Sequence, residues 1–220
     1  RFEIDSIRYF VGGAALIVAV AEVAARPHVE VGFSSWLNND PSAARHHTFS
    51  LLLRNTGVVP APFVGSVHYP ISYLLTESPG QRTLAAMIRH YQRSRPSPSD
   101  CAVPLRVAMP LMIDLLRSAK VLEGVGVALG DLTEHSIFVV DGDTHAMLVD
   151  LSSGCLPGSE DETLGCEGLA GSLHGMAERH APEMVDGLPT SVANNIWQLG
   201  LVFARMLLGG QDVPTAAFAE

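Results

Sequence analysis

The sequence predicts an α+β fold in which a small lobe rich in strands precedes a larger helical lobe. Residues 1–75 contain short apolar runs separated by glycine and proline, residues 76–81 have the composition of a linker, and residues 82–220 contain apolar patterns with helical spacing. The 220 residues are enough to form a core in two small lobes. We therefore assign these three ranges to an N-terminal lobe, a hinge linker and a C-terminal lobe.

The predicted N-terminal lobe has five strands and one helix. Its strands are rich in β-branched and aromatic residues, and its helix follows a turn ending in proline and serine. The strands are expected at residues 6–10, 16–23 and 28–33, the helix at 43–54, and two further strands within 58–75. The apolar run 11–25 is too short for a membrane span and is interrupted by Glu22, so we interpret it as part of a buried hairpin.

The predicted C-terminal lobe has three helices and one hairpin. The helices are expected at residues 82–93, 103–122 and 191–208, and the hairpin pairs 137–140 with 146–149 across Asp141-Gly142-Asp143. In the second helix, four apolar residues recur at intervals of four, three and four positions, which places them on one face. We interpret this stripe as core packing; its members are Leu105, Met109, Met112 and Leu116.

Charge and composition exclude some classes of function. The formal net charge of -9 argues against binding to nucleic acid or to an anionic membrane. Because the first residue is Arg1, we expect a processed or trimmed piece, from which any targeting signal could have been removed. The sequence therefore favours a globular domain that binds a protein partner, and it does not indicate an oligomeric state.

Cysteines and histidines give no clear metal site. The three cysteines do not form a framework, but Cys155 and Cys166 could pair across a loop in a secreted protein or equally remain free thiols. The adjacent His46 and His47 would face different sides of a helix and make a poor pair of ligands. His135 is close in sequence to Asp131 and is expected to bond to backbone.

Four short motifs occur in a definite order along the chain. They are Leu129-Gly130-Asp131 before the hairpin, Asp150-Leu151-Ser152 after it, Ala181-Pro182-Glu183, and the Asn195-x-Trp197-x-x-Gly200 pattern at the start of the last helix. Over residues 51–210, this order resembles the protein kinases, which place His-Arg-Asp, Asp-Phe-Gly, Ala-Pro-Glu and Asp-x-Trp-x-x-Gly at these points.

The resemblance implies a bilobal protein kinase-like fold and a role for each motif residue. Asp131 takes the position of the catalytic base, and Asp150 takes that of the main metal ligand. Glu183 is expected to pair with an arginine of the helical lobe, and Asn195 to hydrogen-bond to the backbone of the catalytic loop. Trp197 and Gly200 take structural positions.

The residues around the two aspartates depart from the kinase pattern. Ser136 replaces the asparagine that supplies the second metal ligand, and Thr133 replaces the basic residue that steadies the transferred phosphoryl group. Both acids also have a structural interpretation, in which they cap the loop by accepting backbone N–H bonds. We favour that interpretation over catalysis.

The phosphate-binding parts are missing as well. The lysine of the third strand falls on Glu30 or Gly32, since the only lysine of the chain is Lys120, and the helix at 43–54 has no glutamate to pair with it. The segment starting at Gly12 keeps one of the three glycines of a glycine-rich loop, so its side chains obstruct the approach of phosphates to backbone N–H groups.

These departures predict a pseudokinase. The chain is similar to the apicomplexan rhoptry-type kinases, in particular to the group without a glycine loop. That resemblance implies a secreted protein of the parasitophorous vacuole or cyst wall that acts as a scaffold or regulatory binding protein and needs no cofactor. It also implies that the C-terminal lobe is shortened or lacks segments, because kinases normally add helices after the one that contains Trp197.

Two alternatives remain open. An atypical protein kinase would bind ATP with Mg²⁺, with Asp131 as base, Asp150 as metal ligand and an arginine in place of the lysine. A cation directed into the cleft opposite Asp150 would favour this alternative. In the other alternative, the cleft binds a different small molecule.

Overall fold

The computed structural model describes residues 4–12, 16–23, 30–37, 41–66, 71–80, 82–94, 102–140, 142, 144–166, 180–185 and 190–211, with backbone alone for those before 41. Helices and small antiparallel sheets occur together, which confirms the α+β class. The helices of the described residues include none that is long and apolar enough to cross a bilayer.

The first part of the chain forms a five-stranded antiparallel sheet. Its strand order is β1-β2-β3-β5-β4, and helix α1 connects β3 to β4. The elements are β1 (Ile4–Gly12), β2 (Leu16–Val23), β3 (Glu30–Leu37), α1 (Pro41–Leu52), β4 (Pro62–Ser66) and β5 (Ile71–Glu77). The predicted hairpin is confirmed as a pairing of β1 with β2, in which Gly12 lies opposite Ile17.

The third strand is longer than predicted. It continues to Leu37, four residues beyond the expected end at residue 33. Strand β3 is central and pairs with β2 on one side and β5 on the other, as far as Trp36 and Leu37. Pairing on both edges therefore extends it through the polar Ser34 and Ser35, which are poor strand formers in isolation.

In the second part of the chain, the described residues form four helices and five short strands. A three-stranded antiparallel sheet has the order β6-β8-β9, and the two-residue strands β7 and β10 pair with each other. The elements are β6 (Arg82–Thr83), α2 (Leu84–Arg93), α3 (Leu105–Gly124), β7 (Ala128–Leu129), β8 (Ile137–Val140), β9 (His145–Leu148), β10 (Gly154–Cys155), α4 (Pro182–Val185) and α5 (Ala193–Leu207).

The predicted hairpin between the two aspartates is confirmed. Strands β8 and β9 pair in register, with Ile137 opposite Leu148 and Val140 opposite His145. Gly142 has φ 64°, the left-handed conformation that Asp-Gly turns require. The flanking Asp141 and Asp143 lie outside the described residues.

One hydrophobic core joins helix α1 to the helical part of the chain. Phe49 of α1, Leu111 and Leu115 of α3, Ile137 of β8 and Met206 of α5 belong to the same buried cluster. The division into an N-terminal lobe, a hinge linker and a C-terminal lobe stays a prediction, although α1 clearly packs into the same core as α3 and α5.

The segment predicted as a linker lies against the hairpin. Gly80 has φ 122°, and a Cβ at this position would lie 2.7 Å from the carbonyl oxygen of Val139. Because an L side chain would be strained and would also collide with backbone, glycine is required here. The chain therefore passes close to β8 on its way to α2.

The interpretation of the apolar stripe on α3 as core packing is wrong for three of its four residues, while Met112 is partly buried and packs against the core. Leu105, Met109 and Leu116 are 60%, 45% and 42% exposed. The buried face of α3 is a second apolar row, which consists of Ala108, Leu111, Leu115, Ala119 and Leu122. Both rows have helical spacing, and the second row, with two small alanines, is the one that faces the core.

Candidate functional site

Asn195 of α5 hydrogen-bonds to the backbone of the loop that contains Asp131. The Asn195 Oδ1 accepts the N–H of Leu129 at 2.8 Å, and its Nδ2 donates to the carbonyl of Val127 at 2.9 Å. This confirms the predicted hydrogen bonding of Asn195 to the loop backbone. An aspartate could accept the first bond but could not donate the second, so the amide suits this backbone better than the carboxylate of the kinase pattern.

Gln198, one turn further along α5, repeats the same contact. Its Oε1 accepts the N–H of Leu132 at 3.0 Å, and its Nε2 donates to the carbonyl of Gly130 at 2.8 Å. Asn195 and Gln198 are 1% and 2% exposed. We refer to these two residues as the amide clamp, because four buried hydrogen bonds fix the backbone on both sides of Asp131.

The other edge of the loop pairs with the segment after Asp150. Gly130 donates its N–H to the carbonyl of Ser153 at 2.9 Å. The hydroxyl of Ser153 accepts the N–H of Asp131 at 3.0 Å and donates to the carbonyl of Asp131 at 3.3 Å. The backbone of Asp131 is therefore fixed, while the residue itself is exposed to solvent.

Thr133 and Ser136 close a small turn immediately after Asp131. The Ser136 Oγ accepts the N–H of Thr133 at 3.0 Å and donates to the carbonyl of the same residue at 2.9 Å. The Thr133 Oγ accepts the N–H of His135 at 3.2 Å. Ser136 is 6% exposed, so the hydroxyls at the phosphoryl and second-metal positions are both engaged by backbone. His135 also bonds through its backbone, and its side chain is exposed.

A buried ion pair anchors the same turn to two helices. A carboxylate oxygen of Glu134 lies 2.7 Å from the Arg205 guanidinium of α5, and Glu134 is 5% exposed. Its carbonyl accepts the N–H of Ala85 at the start of α2. The loop is thus connected to both helices that flank it.

The Asp150 carboxylate accepts hydrogen bonds from its own turn. Its Oδ1 accepts the N–H of Ser152 at 2.9 Å and the Ser152 hydroxyl at 2.5 Å. Burial raises the pKa of Asp150, the two Ser152 bonds oppose that rise, and the charge of Asp131 adds to it.

Helix α1 contacts the residue after Asp150 through His46. The His46 Nδ1 accepts the N–H of Leu151 at 3.1 Å, and His46 is 3% exposed. Burial, and to a lesser extent the neighbouring His47, lowers the pKa of His46 to about 3. The imidazole is therefore neutral near neutral pH, as its role as an acceptor requires.

Arg45 is the cation of α1 that contacts the segment following Asp150. Its Nε donates to the carbonyl of Thr163 at 2.8 Å, and one terminal nitrogen donates to the carbonyl of Ser152 at 3.5 Å. Arg45 is 7% exposed. The guanidinium is therefore held by backbone carbonyls beside the Asp150 turn.

A disulfide closes the loop that Arg45 contacts. Cys155 of β10 and Cys166 are bonded, which resolves the choice between a disulfide and free thiols. Leu156 donates its N–H to the carbonyl of Leu164 at 2.7 Å inside the closed loop. Leu151, Cys155 and the neighbouring Ala128 are fully buried, so the start of this segment packs into the molecule, whereas residues 157–158 and 160–162 are exposed.

The structure brings the predicted residues of the two aspartate motifs together. Asp131, Thr133, Ser136 and Asp150 lie on two segments joined by the Gly130–Ser153 hydrogen bond, and Asn195 lies beneath them. Their chemical roles stay predictions.

The remaining predicted residues lie outside the two aspartate segments. Trp197 is partly buried on α5, whereas Gly200 is exposed, and a Cβ there would meet no atom within 4 Å. Glu183 lies in α4, and among the described residues it has no ion pair, so the predicted arginine partner is not found there. Glu30 and Gly32 lie in β3, where the backbone alone is described, and residues 13–15 lie outside the described residues.

Several residues of this site were not predicted from the sequence. Gln198 could have been found, because it follows Asn195 by three positions and shares its helix face. Arg45, His46 and Ser153 depend on the approach of α1 and β10, which no local pattern indicates.

Within the described ranges, no group of three or more His, Cys, Asp or Glu residues is arranged to hold a metal ion. No family model matches the chain, and no curated protein matches it.

Proposed function

We propose that this chain is a pseudokinase, a catalytically inactive kinase-like protein that acts as a scaffold or regulatory binding protein. The element order supports a bilobal kinase-like fold: five antiparallel strands with one helix between the third and the fourth, then helices and an acid–hairpin–acid unit. The amide clamp supports the same fold, since Asn195 contacts the loop of Asp131 as the resemblance implies.

The observation that carries the proposal is the closed turn of Thr133 and Ser136. Phosphoryl transfer depends on metal ions and cations around the phosphates rather than on covalent chemistry by the protein. Here the hydroxyl at the second-metal position makes two hydrogen bonds with the backbone of Thr133 and is buried. This hydroxyl therefore keeps one lone pair for a metal, on a short side chain that is buried and fixed within its own turn.

The Asp150 turn supports the same conclusion. Its Oδ1 already accepts two hydrogen bonds from Ser152, which compete with a metal for the same oxygen. We therefore propose that Asp131 and Asp150 have a structural role, in which they cap the two loops that contain them.

The second candidate is an atypical kinase that binds ATP with Mg²⁺ through Asp131 and Asp150. Arg45 is the observation that favours it, because a guanidinium lies beside the Asp150 turn and arginine binds phosphate well. Against it, Arg45 would have to exchange its bonds to Thr163 and Ser152 for bonds to phosphate.

The proposed function includes secretion, as the resemblance to rhoptry-type kinases implies. The disulfide between Cys155 and Cys166 supports it, because structural disulfides persist in oxidising compartments and are rare in the cytosol. The parasitophorous vacuole or cyst wall stays the proposed location.

Thermal unfolding with and without nucleotide tests the proposal. A ligand that binds only the folded state raises the melting temperature. Because we propose that the cleft does not bind nucleotide, millimolar ATP with Mg²⁺ or Mn²⁺ should leave the melting temperature unchanged. A metal-dependent rise that disappears in Asp150→Asn and persists in Glu160→Gln would instead establish the atypical kinase. Glu160 is an exposed acid away from the turn and serves as the matched control.

A further inference from the structure

The strongest unexplained feature of the surface is an apolar row on α3. The α3 stripe consists of Leu105, Met109, Met112, Ile113 and Leu116, of which all but Met112 are at least 42% exposed. Its members recur at three and four positions, so they form one continuous band along about three turns of the helix. Single exposed apolar residues are ordinary on protein surfaces, but an aligned band of this length is typical of a binding face.

Exposed cations flank the α3 stripe. Arg106, Arg117 and Lys120 are all exposed, and no carboxylate among the described residues pairs with any of them. The exposed acid of the same helix is Glu123 at its end. Asp114 points away, toward β9, where its carboxylate contacts the His145 ring at 2.6 Å and the N–H of Ala146 at 3.0 Å.

The charge of this region opposes that of the rest of the chain. Helix α3 contains three cationic residues and two acidic residues, of which Asp114 is engaged by β9, although the whole chain has a net charge of -9. A cationic rim on an acidic protein therefore provides strong local complementarity for an anionic partner, and screening at physiological salt limits the opposing charge beyond about 8 Å.

We propose that the α3 stripe binds an acidic amphipathic helix of a partner protein. Such a helix would place apolar residues at i, i+3, i+4 and i+7 on the stripe and its flanking carboxylates beside Arg106, Arg117 and Lys120. Burial of the stripe supplies affinity, and the rim supplies selectivity for acidic over basic sequences. This inference deepens the proposed binding function, since it assigns the surface and the chemistry of the partner.

The charges around the α3 stripe favour an acidic helix over two other possible occupants, a second copy of the chain and an anionic membrane. A second copy packed antiparallel on the same stripe would bring Arg106 of one chain near Arg117 of the other, so like charges would meet. An anionic membrane presents a broad plane of charge to the whole acidic protein, whereas a single helix contacts the cationic rim alone.

Binding of designed peptides tests the proposal. The probe is a fluorescein-labelled amphipathic peptide with leucines at helical spacing and glutamates beside them, compared with a lysine version and a scrambled version. We expect the acidic peptide to bind about tenfold more tightly than the lysine peptide, with a preference that shrinks at high salt. Equal affinity for the three peptides, or no binding of any, would overturn the proposal.

Surface variants locate the binding face. Arg117→Glu should weaken the acidic peptide about tenfold, whereas Arg54→Glu, an exposed arginine after α1, should leave its affinity unchanged. Ile113→Ser should weaken binding through the apolar band without changing the charge. Acidic-peptide affinity that survives both α3 substitutions would place the binding elsewhere and refute the assignment.

Two further measurements distinguish the other occupants. Sedimentation with phosphatidylserine vesicles should show no binding, and analytical ultracentrifugation should show no association that Ile113→Ser abolishes. Vesicle binding without peptide binding would show that the α3 stripe binds a membrane rather than an acidic helix. A dimer that dissociates in Ile113→Ser would show that it binds a second copy of the chain. Nucleotide does not enter these measurements, so their failure is distinguishable from failure of the pseudokinase proposal.

Discussion

The segments that contain the two aspartates are fixed in different ways. The backbone on both sides of Asp131 bonds to the neutral amides of Asn195 and Gln198, which do not titrate. The backbone after Asp150 depends on His46 and on a disulfide-closed loop, both of which respond to solution conditions.

The difference shows that the loop of Asp131 is held by side chains that do not titrate, whereas the segment after Asp150 is held by groups that respond to pH and to redox conditions. Four buried hydrogen bonds from α5 fix one loop whatever the charge of Asp131. The other loop requires a neutral histidine and an oxidised pair of cysteines. Substitutions and changes of condition should therefore separate the two segments.

Asn195→Leu should give the largest effect. It removes the partner of the Leu129 N–H and of the Val127 carbonyl, two buried groups, so we expect a loss of about 3 kcal/mol in the free energy of unfolding. Urea denaturation measures this loss.

Asn194→Leu is the matched control. Asn194 is fully buried, yet neither side-chain amide atom has a hydrogen-bond partner among the described residues. Replacement by an apolar side chain with the same branching and the same number of heavy atoms should raise stability by about 1 kcal/mol. Similar destabilisation by the two substitutions would show that burial, rather than hydrogen bonding, explains the cost at Asn195.

Breaking the disulfide should affect the Asp150 side. The double substitution Cys155→Ser and Cys166→Ser should lower stability by about 2–3 kcal/mol, because the bond closes a loop across 11 positions. Urea denaturation with and without reductant measures this. Reductant should not change the stability of the double variant, and an equal response in both proteins would contradict the assignment.

Low pH should also weaken the Asp150 side. In the folded protein the pKa of His46 is about 3, whereas in the unfolded chain it is 6.5. Between these values the unfolded state binds the proton more tightly, so the contribution of His46 to folding stability is complete above pH 6.5 and declines below it. The decline reaches about 1.4 kcal/mol per pH unit.

His46→Asn tests this slope. The Asn Oδ1 can accept the Leu151 N–H without titrating, so the variant should lose stability less steeply between pH 6.5 and about 3. His47→Asn is the control. Burial also lowers the pKa of His47, but the ring is only partly buried, so this substitution should change the pH slope less than His46→Asn does. An unchanged slope in His46→Asn would show that His46 is not the titrating group.

Gly200→Ala should give the smallest effect on the free energy of unfolding, and it should raise stability rather than lower it. Gly200 lies on the exposed side of α5, and an added Cβ meets no atom within 4 Å. Alanine favours a helix over glycine by about 1 kcal/mol, so stability should rise by up to that amount. A loss in thermal melts would show that Gly200 has a packing role that the structure does not reveal.

Sequence patterns predicted the regular elements well, because these depend on local periodicity. The strand at residues 16–23 and the hairpin at 137–140 coincide with β2 and β8. The two-residue strands β7 and β10 were not predicted, since they arise from pairing between distant segments.

The same patterns were weaker for burial and for the site. Two apolar rows on α3 have the same spacing, so periodicity alone could not tell which row faces the core. His46 appeared only as a poor metal ligand, because its contact with Leu151 joins residues 105 positions apart.

Backbone hydrogen exchange, with and without millimolar Mg²⁺–ATP, tests the central claim most directly. The amides of Leu129, Leu132 and Leu151 bond to buried side chains of α5 and α1, so they should exchange slowly. We predict that nucleotide leaves their exchange, and that of Asp131 and Ser152, unchanged. Slowed exchange at Asp131 and Ser152 on addition of Mg²⁺–ATP would show that the cleft binds nucleotide and would contradict the pseudokinase account.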